Sequence, residues 1–109
     1  GCGKTAVTAV PKLVIIRDKK WAQGAVRDLP SIVTGLCGPT VEGMHISTLG
    51  KSIKSSDAYV LPIEHYYHQL GHEKGEISML REHLPDYVLR RALQLYAQYE
   101  LYEPWKSKN

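Results

Sequence analysis

The stretch from Met44 to His72, MHISTLGKSIKSSDAYVLPIEHYYHQLGH, decides the fold and holds four of the five histidines. His68 and His72 stand four residues apart in a segment that reads as helical, so their β-carbons lie about 5–6 Å apart on one face. That spacing lets two ring nitrogens reach a single divalent ion. His45 ends a β-leaning stretch, Thr40 to Ser47. A second such stretch, Ser31 to Thr34, precedes it across Gly35-Leu36-Cys37-Gly38-Pro39, the outline of a hairpin with a five-residue loop. Folded over the helix, this hairpin brings His45 against the histidine pair.

Upstream, Lys12 to Arg17 (KLVIIR) reads as a strand or an extended entry to the domain. Asp18 is an N-cap for a helix over Lys19 to Leu29, with Trp21, Ala25, Val26 and Leu29 on one face. Pro30 ends it. Thr48 to Asp57 reads as a polar, basic loop. Around Pro62 the pattern turns helical through His72, and Gly71 and Gly75 loosen the end. A short helix follows over Glu76 to His83. Pro85-Asp86 then caps a last amphipathic helix with Val88, Leu89, Ala92, Leu95, Tyr96 and Tyr99 at helical spacing. Lys106 to Asn109 form a frayed tail. The expectation is one small α+β domain over 1–109, with a core at 29–74, an N-terminal strand and helix at 12–29 and C-terminal packing helices at 76–102.

With 109 residues, 43% hydrophobic and 23% charged, the chain has ordinary globular composition. Its longest uninterrupted apolar run, Leu13 to Ile16, is far short of the about 20 residues a membrane span needs. No signal-like segment opens the chain, so the expected location is cytoplasmic, with no membrane partner. Cys2 and Cys37 exclude a disulfide framework or a cysteine-built zinc finger. Residues 1–54 carry eight Lys or Arg against three acids, and residues 55–109 carry six against eight, giving +5 and −2. A basic half suits a polyanion. Gly1-Cys2-Gly3-Lys4-Thr5 mimics the end of a phosphate loop, but it lacks the first glycine and the preceding strand. Tyr87, Tyr96, Tyr99 and Tyr102 fall at helical spacing and read as packing rather than as a base-stacking platform.

This order of elements resembles the ββα-metal, or HNH, endonucleases, above all those of phages and bacteria associated with recombination. Their core reads approximately L-P-C-x-x-C-G, a His-His-Ile strand, and S-D-x4-P-L-C-x-x-H-H-x3-H. Here the matching residues are Leu29-Pro30-Ser31-Ile32-Val33-Thr34-Gly35, then Met44-His45-Ile46, then Ser56-Asp57 through Pro62-Ile63-Glu64 to Tyr67-His68 and His72. The resemblance spans roughly residues 14 to 100. It implies a ββα-metal core in which His45 is the general base activating water, His68 and His72 hold a catalytic divalent ion, and Asp57 supports the loop. Mg²⁺ or Mn²⁺ is the expected cofactor, with Zn²⁺ as the alternative.

The departures matter as much. Relatives hold a structural zinc with two hairpin cysteines plus a cysteine and a histidine on the helix. The matching positions are Ser31, Thr34, Glu64 and Tyr67, so no structural zinc is expected, and hydrogen bonds among these four are expected to tie hairpin to helix. Met44 replaces a third ligand, and a thioether is too soft for Mg²⁺. The expected mid-motif asparagine is absent, and His65 has no family role. The implied activity is hydrolysis of DNA phosphodiesters, with Lys12, Lys19, Lys20, Arg27, Lys51 and Lys54 contacting DNA, by a monomer or homodimer. The alternatives are a catalytically degenerate DNA-binding or recombination-accessory protein working with a recombinase, and a phage protein-interaction module directed at a host nuclease.

Overall fold

The computed structural model describes residues 15–46, 55–84 and 89–109. It is α+β. Two antiparallel strands, β1 (Val41–His45) and β2 (Val60–Glu64), form the sheet, and helical segments surround it. The register pairs Val41 with Glu64, Gly43 with Pro62 and His45 with Val60. β2 runs directly into α2 (His65–Lys74), followed by α3 (Glu76–His83). Gly75 separates these two helices at φ +93°, a conformation that L side chains rarely adopt. The α3 boundaries agree with the sequence reading.

The hairpin expected from sequence is corrected. Ser31 to Thr34 is a turn rather than a strand, and the partner of β1 is β2. The Ser31 carbonyl accepts from Gly35 N–H at 2.8 Å, while Ser31 N–H donates to the Leu36 carbonyl at 2.9 Å, closing the turn on itself. Pro62 sits inside β2, where the sequence reading begins a helix. Its carbonyl accepts the Ile32 N–H at 2.8 Å. The N and C=O of one strand residue point the same way, so the missing Pro62 N–H also faces away from β1 and interrupts no ladder bond. Residues 60–63 are all buried, Leu61 and Ile63 in one core cluster and Val60 in the other. Burial on both faces removes the polar alternation that marks a half-exposed strand.

The turn is fastened to the end of β2 by a clasp. Ser31 and Thr34 donate their hydroxyls to the two carboxylate oxygens of Glu64. Tyr67, the fourth expected member, instead packs edge-on against His83 at 4.8 Å between ring centroids. Burial would raise the Glu64 carboxyl, but its hydrogen bonds from Ser31, Thr34 and its own backbone outweigh this and hold it below the usual value. The clasp's contribution is therefore fully present above the unfolded carboxyl value of about 4.3 and is lost as pH falls through the lower folded value. Glu64→Gln, which cannot accept both hydroxyls, is expected to cost about 1 kcal/mol at pH 7. That gap should be smaller at pH 3 than at pH 7 in urea unfolding. A gap unchanged between the two pH values would show that the ionised clasp contributes nothing.

Residues 15–17 form no strand: Ile16 N–H donates to Ser56 Oγ at 3.0 Å and its carbonyl accepts from Asp57 N–H at 2.8 Å. Asp18 caps α1 (Lys19–Ala22), its Oδ1 accepting from Trp21 N–H at 3.3 Å. The single helix expected to Leu29 breaks at Gly24 into α1 and a 3₁₀ turn, Ala25–Asp28. A glycine inside a helix costs about 1 kcal/mol against alanine, which makes it a natural breaking point. The C-terminal segment is helical from Arg90 to Lys108: α4 (Arg90–Leu95), a π-helical stretch (Tyr96–Tyr102) and α5 (Glu103–Lys108). Lys106 to Lys108 are thus helical, not frayed.

The buried face of that segment also differs from expectation. Leu89, Leu95, Tyr96 and Tyr99 are exposed, whereas Gln94, Ala97 and Tyr102 are buried. The wide π turn allows Ala97 and Tyr102, five residues apart, to face inward together. Tyr102 and Trp105 enclose Trp21, with ring centroids at 5.7 and 5.4 Å. The expected Pro85-Asp86 cap, most of the 48–57 loop and residues 12–14 lie outside the described residues.

Candidate active site around His45

His45 is the last residue of β1, and its side chain is 43% exposed. Its Nε2 lies 2.8 Å from Asp57 Oδ1. Asp57 is buried in the 3₁₀ turn (Asp57–Tyr59) that leads into β2, and its Oδ2 accepts the Asp18 N–H at 2.7 Å. Burial alone would push this carboxyl up. The hydrogen bonds from His45 and the Asp18 amide, with the charges of His45 and Arg17, outweigh burial and hold Asp57 below the usual carboxylate range. An ionised carboxylate only accepts, so the shared hydrogen sits on Nε2 and Nδ1 keeps the free lone pair of the neutral ring. Asp57 is also placed to stabilise the imidazolium that forms when Nδ1 takes a proton.

One turn apart on α2, the His68 and His72 rings stack with centroids 4.7 Å apart and 29° between their planes. Glu42, on β1, accepts from His68 Nδ1 at 2.6 Å and from His65 Nδ1 at 3.1 Å. Burial would raise Glu42, but these hydrogen bonds and the two imidazoles lower it overall. With Nδ1–H given to Glu42, His68 keeps its lone pair on Nε2, the tautomer that a carboxylate behind a metal-binding histidine imposes. His65, expected to be a surface residue without a role, is exposed yet shares Glu42.

Two clefts meet at His45. The smaller, about 140 Å³, is lined by Met44, His45, His68, Gly71, His72 and Glu76. The larger, about 330 Å³, is lined by Arg17, Lys19, Gln23, His45, Ser55 and Asp57. All three histidines singled out in the sequence therefore line one cleft. Sequence reasoning missed Glu42 and the site role of Arg17. No spacing rule links Glu42 to a helix residue 26 positions later, and Arg17 reads as one surface cation among many. Of the expected basic set, Lys19 lines the larger cleft and Lys20 is exposed on α1. Arg27 lines a separate depression with Asp28, Cys37, Gly38, Pro39 and Val41. Lys12, Lys51 and Lys54 lie outside the described residues.

His68 and His72 are the adjacent imidazoles that could hold an ion in the smaller cleft, whose lining also includes His45 and the carboxylate of Glu76, paired with Arg90 at 2.9 Å. Met44, at the position where the resembling nucleases carry a third ligand, is 2% exposed and packed into the core. Among the described residues no group of three His, Cys, Asp or Glu is arranged to hold a metal ion. The donors fit an ion that takes two imidazoles from the protein and its other ligands from water and substrate oxygens. That set suits a borderline transition ion better than Mg²⁺. Among the described residues no helix is long and apolar enough to cross a membrane.

No family model matches the chain, and no curated protein or solved structure matches it either.

Proposed function

We propose that the protein is a metal-dependent endonuclease of the HNH kind, hydrolysing DNA phosphodiester bonds. The observation that carries the reading is the sharing of one cleft by His45, His68 and His72, with His45 Nε2 hydrogen-bonded to Asp57 at 2.8 Å. In this reading His45 takes the proton from the attacking water, and Asp57 steadies the resulting imidazolium. His68 and His72 hold a divalent ion, and Glu42 fixes the His68 ring. Held there, such an ion would supply positive charge to the transition state and the leaving 3′ oxygen.

The test is nicking of supercoiled plasmid with Mg²⁺, Mn²⁺, Zn²⁺ or EDTA, with His68→Ala beside wild type. Nicking is expected with a transition ion and none with EDTA. His68→Ala should raise the metal concentration for half-maximal nicking at least about tenfold, since even the partners behind metal ligands are worth about 10–100-fold. An unshifted metal dependence in the variant would remove the ion from the helix pair. The burial of Met44 favours a second reading, a DNA-binding module on a nuclease-like core that has lost a ligand. No nicking with any metal, together with a shifted DNA band, would select that module.

A further inference from the structure

We infer that the larger cleft beside His45 is a phosphate-binding subsite for a nucleic-acid backbone, taking the phosphate next to the one presented to His45; this rests on the nucleic-acid reading above. Arg17 and Lys19 supply the cationic lining, and Gln23 adds a neutral amide. Arg17 Nη1 is held by the Ser55 carbonyl and lies 4.0 Å from Asp57 Oδ1. That anchoring leaves the rest of the guanidinium fork to meet a phosphate, whose geometry it matches. Asp57 offsets part of this charge, so the lining of two cations and one carboxylate keeps a net positive charge. The Asp57 side chain is 11% exposed, and both oxygens are engaged, by His45 and by the Asp18 amide.

The two clefts divide the work by their chemistry. The smaller one is lined by imidazoles, Met44, Gly71 and Glu76, with no permanent cation among the described residues that line it. The larger has two such cations against the single carboxylate of Asp57 and more than twice the volume, room for on the order of ten waters at about 30 Å³ each. His45 lines both, so a strand laid across its exposed ring reaches the imidazole cleft on one side and the Arg17–Lys19 cleft on the other.

The experiment measures binding of a thymidine hexanucleotide in EDTA, where metal-dependent cleavage is silent, across a range of salt concentrations. Removing one cation that meets a phosphate of a single strand should flatten the slope of log K against log salt by about 0.7. Arg17→Ala and Lys19→Ala are each expected to show that flattening and Arg17→Lys to retain the wild-type slope. Arg27→Ala, which removes an equal charge at the separate depression, should also retain it. Wild-type slopes in both alanine variants, or no hexanucleotide binding by wild type, would overturn the subsite. Binding with the expected slopes but no nicking in any metal would sink the nuclease reading and keep the subsite. Nicking with unaltered slopes would do the reverse.

Discussion

Replacing His45 by alanine is expected to lower metal-dependent nicking by about 10²–10⁴-fold, the range a positioned general base contributes. Folding should hardly notice. The ring is nearly half exposed, and its hydrogen bond is to one carboxylate that retains the Asp18 amide and has Arg17 beside it. Breaking such a partly exposed pair costs about 1 kcal/mol or less. The thermal midpoint should therefore fall by no more than about 4–8 °C. Plasmid nicking and a melting curve on the same preparation separate the two effects. Surviving cleavage would move the base elsewhere, and a collapsed melting curve would mean that the His45–Asp57 pair is structural.

The second large effect is on stability. Trp21→Ala is expected to cost about 3–5 kcal/mol, as core Trp truncations do. Domains of this kind have only about 5–15 kcal/mol in total. Trp21 is 1% exposed and packs with Ala22, Val26, Ala58, Val60 and Tyr102, so it joins the N-terminal segment, the sheet and the C-terminal helix. Trp21→Phe should cost much less. It keeps an aromatic ring for Tyr102 and Trp105 and removes the indole Nε1, which is buried without a hydrogen-bond partner among the described residues. Urea unfolding of the three proteins measures both differences. Equal destabilisation in the two variants would show that the indole's extra bulk, not the presence of a ring, carries the packing. The same region touches function through Asp18, which caps α1, accepts the Tyr102 hydroxyl at 3.1 Å and gives its amide to Asp57.

Local chemistry is legible in the sequence. Asp18 caps as expected because its carboxylate meets amides three residues away, and α3 ends where it reads because Gly75 and a run of good helix formers set its bounds. His68 and His72 share a face because helical periodicity requires it. What the sequence hides is non-local. Val60-Leu61-Pro62-Ile63 is buried from both sides, so it lacks the alternation of a half-exposed strand, and Pro62 suggests a helix start. Ser31 to Thr34 has a β-leaning composition, but Gly35 and the carboxylate of Glu64, 30 residues on from Thr34, hold it as a turn. An ideal helical period misplaces the buried face of the last helix, because the π turn rotates that face toward Ala97 and Tyr102. Glu42 is invisible for the same reason: its role depends on a register that pairs β1 with β2 and so lays β1 beside α2.

The Ser31–Thr34–Glu64 clasp also has a consequence for oxidative chemistry. Where the resembling nucleases carry zinc thiolates, peroxide can drive sulfur to sulfenic acid or disulfide and release the ion. Two hydroxyls and a carboxylate offer no such target. Cys37 is exposed and lines the depression with Arg27, so it can be oxidised without touching the clasp. The turn that fastens to the end of β2 should therefore keep its shape in an oxidising burst that would open a thiolate-built knuckle.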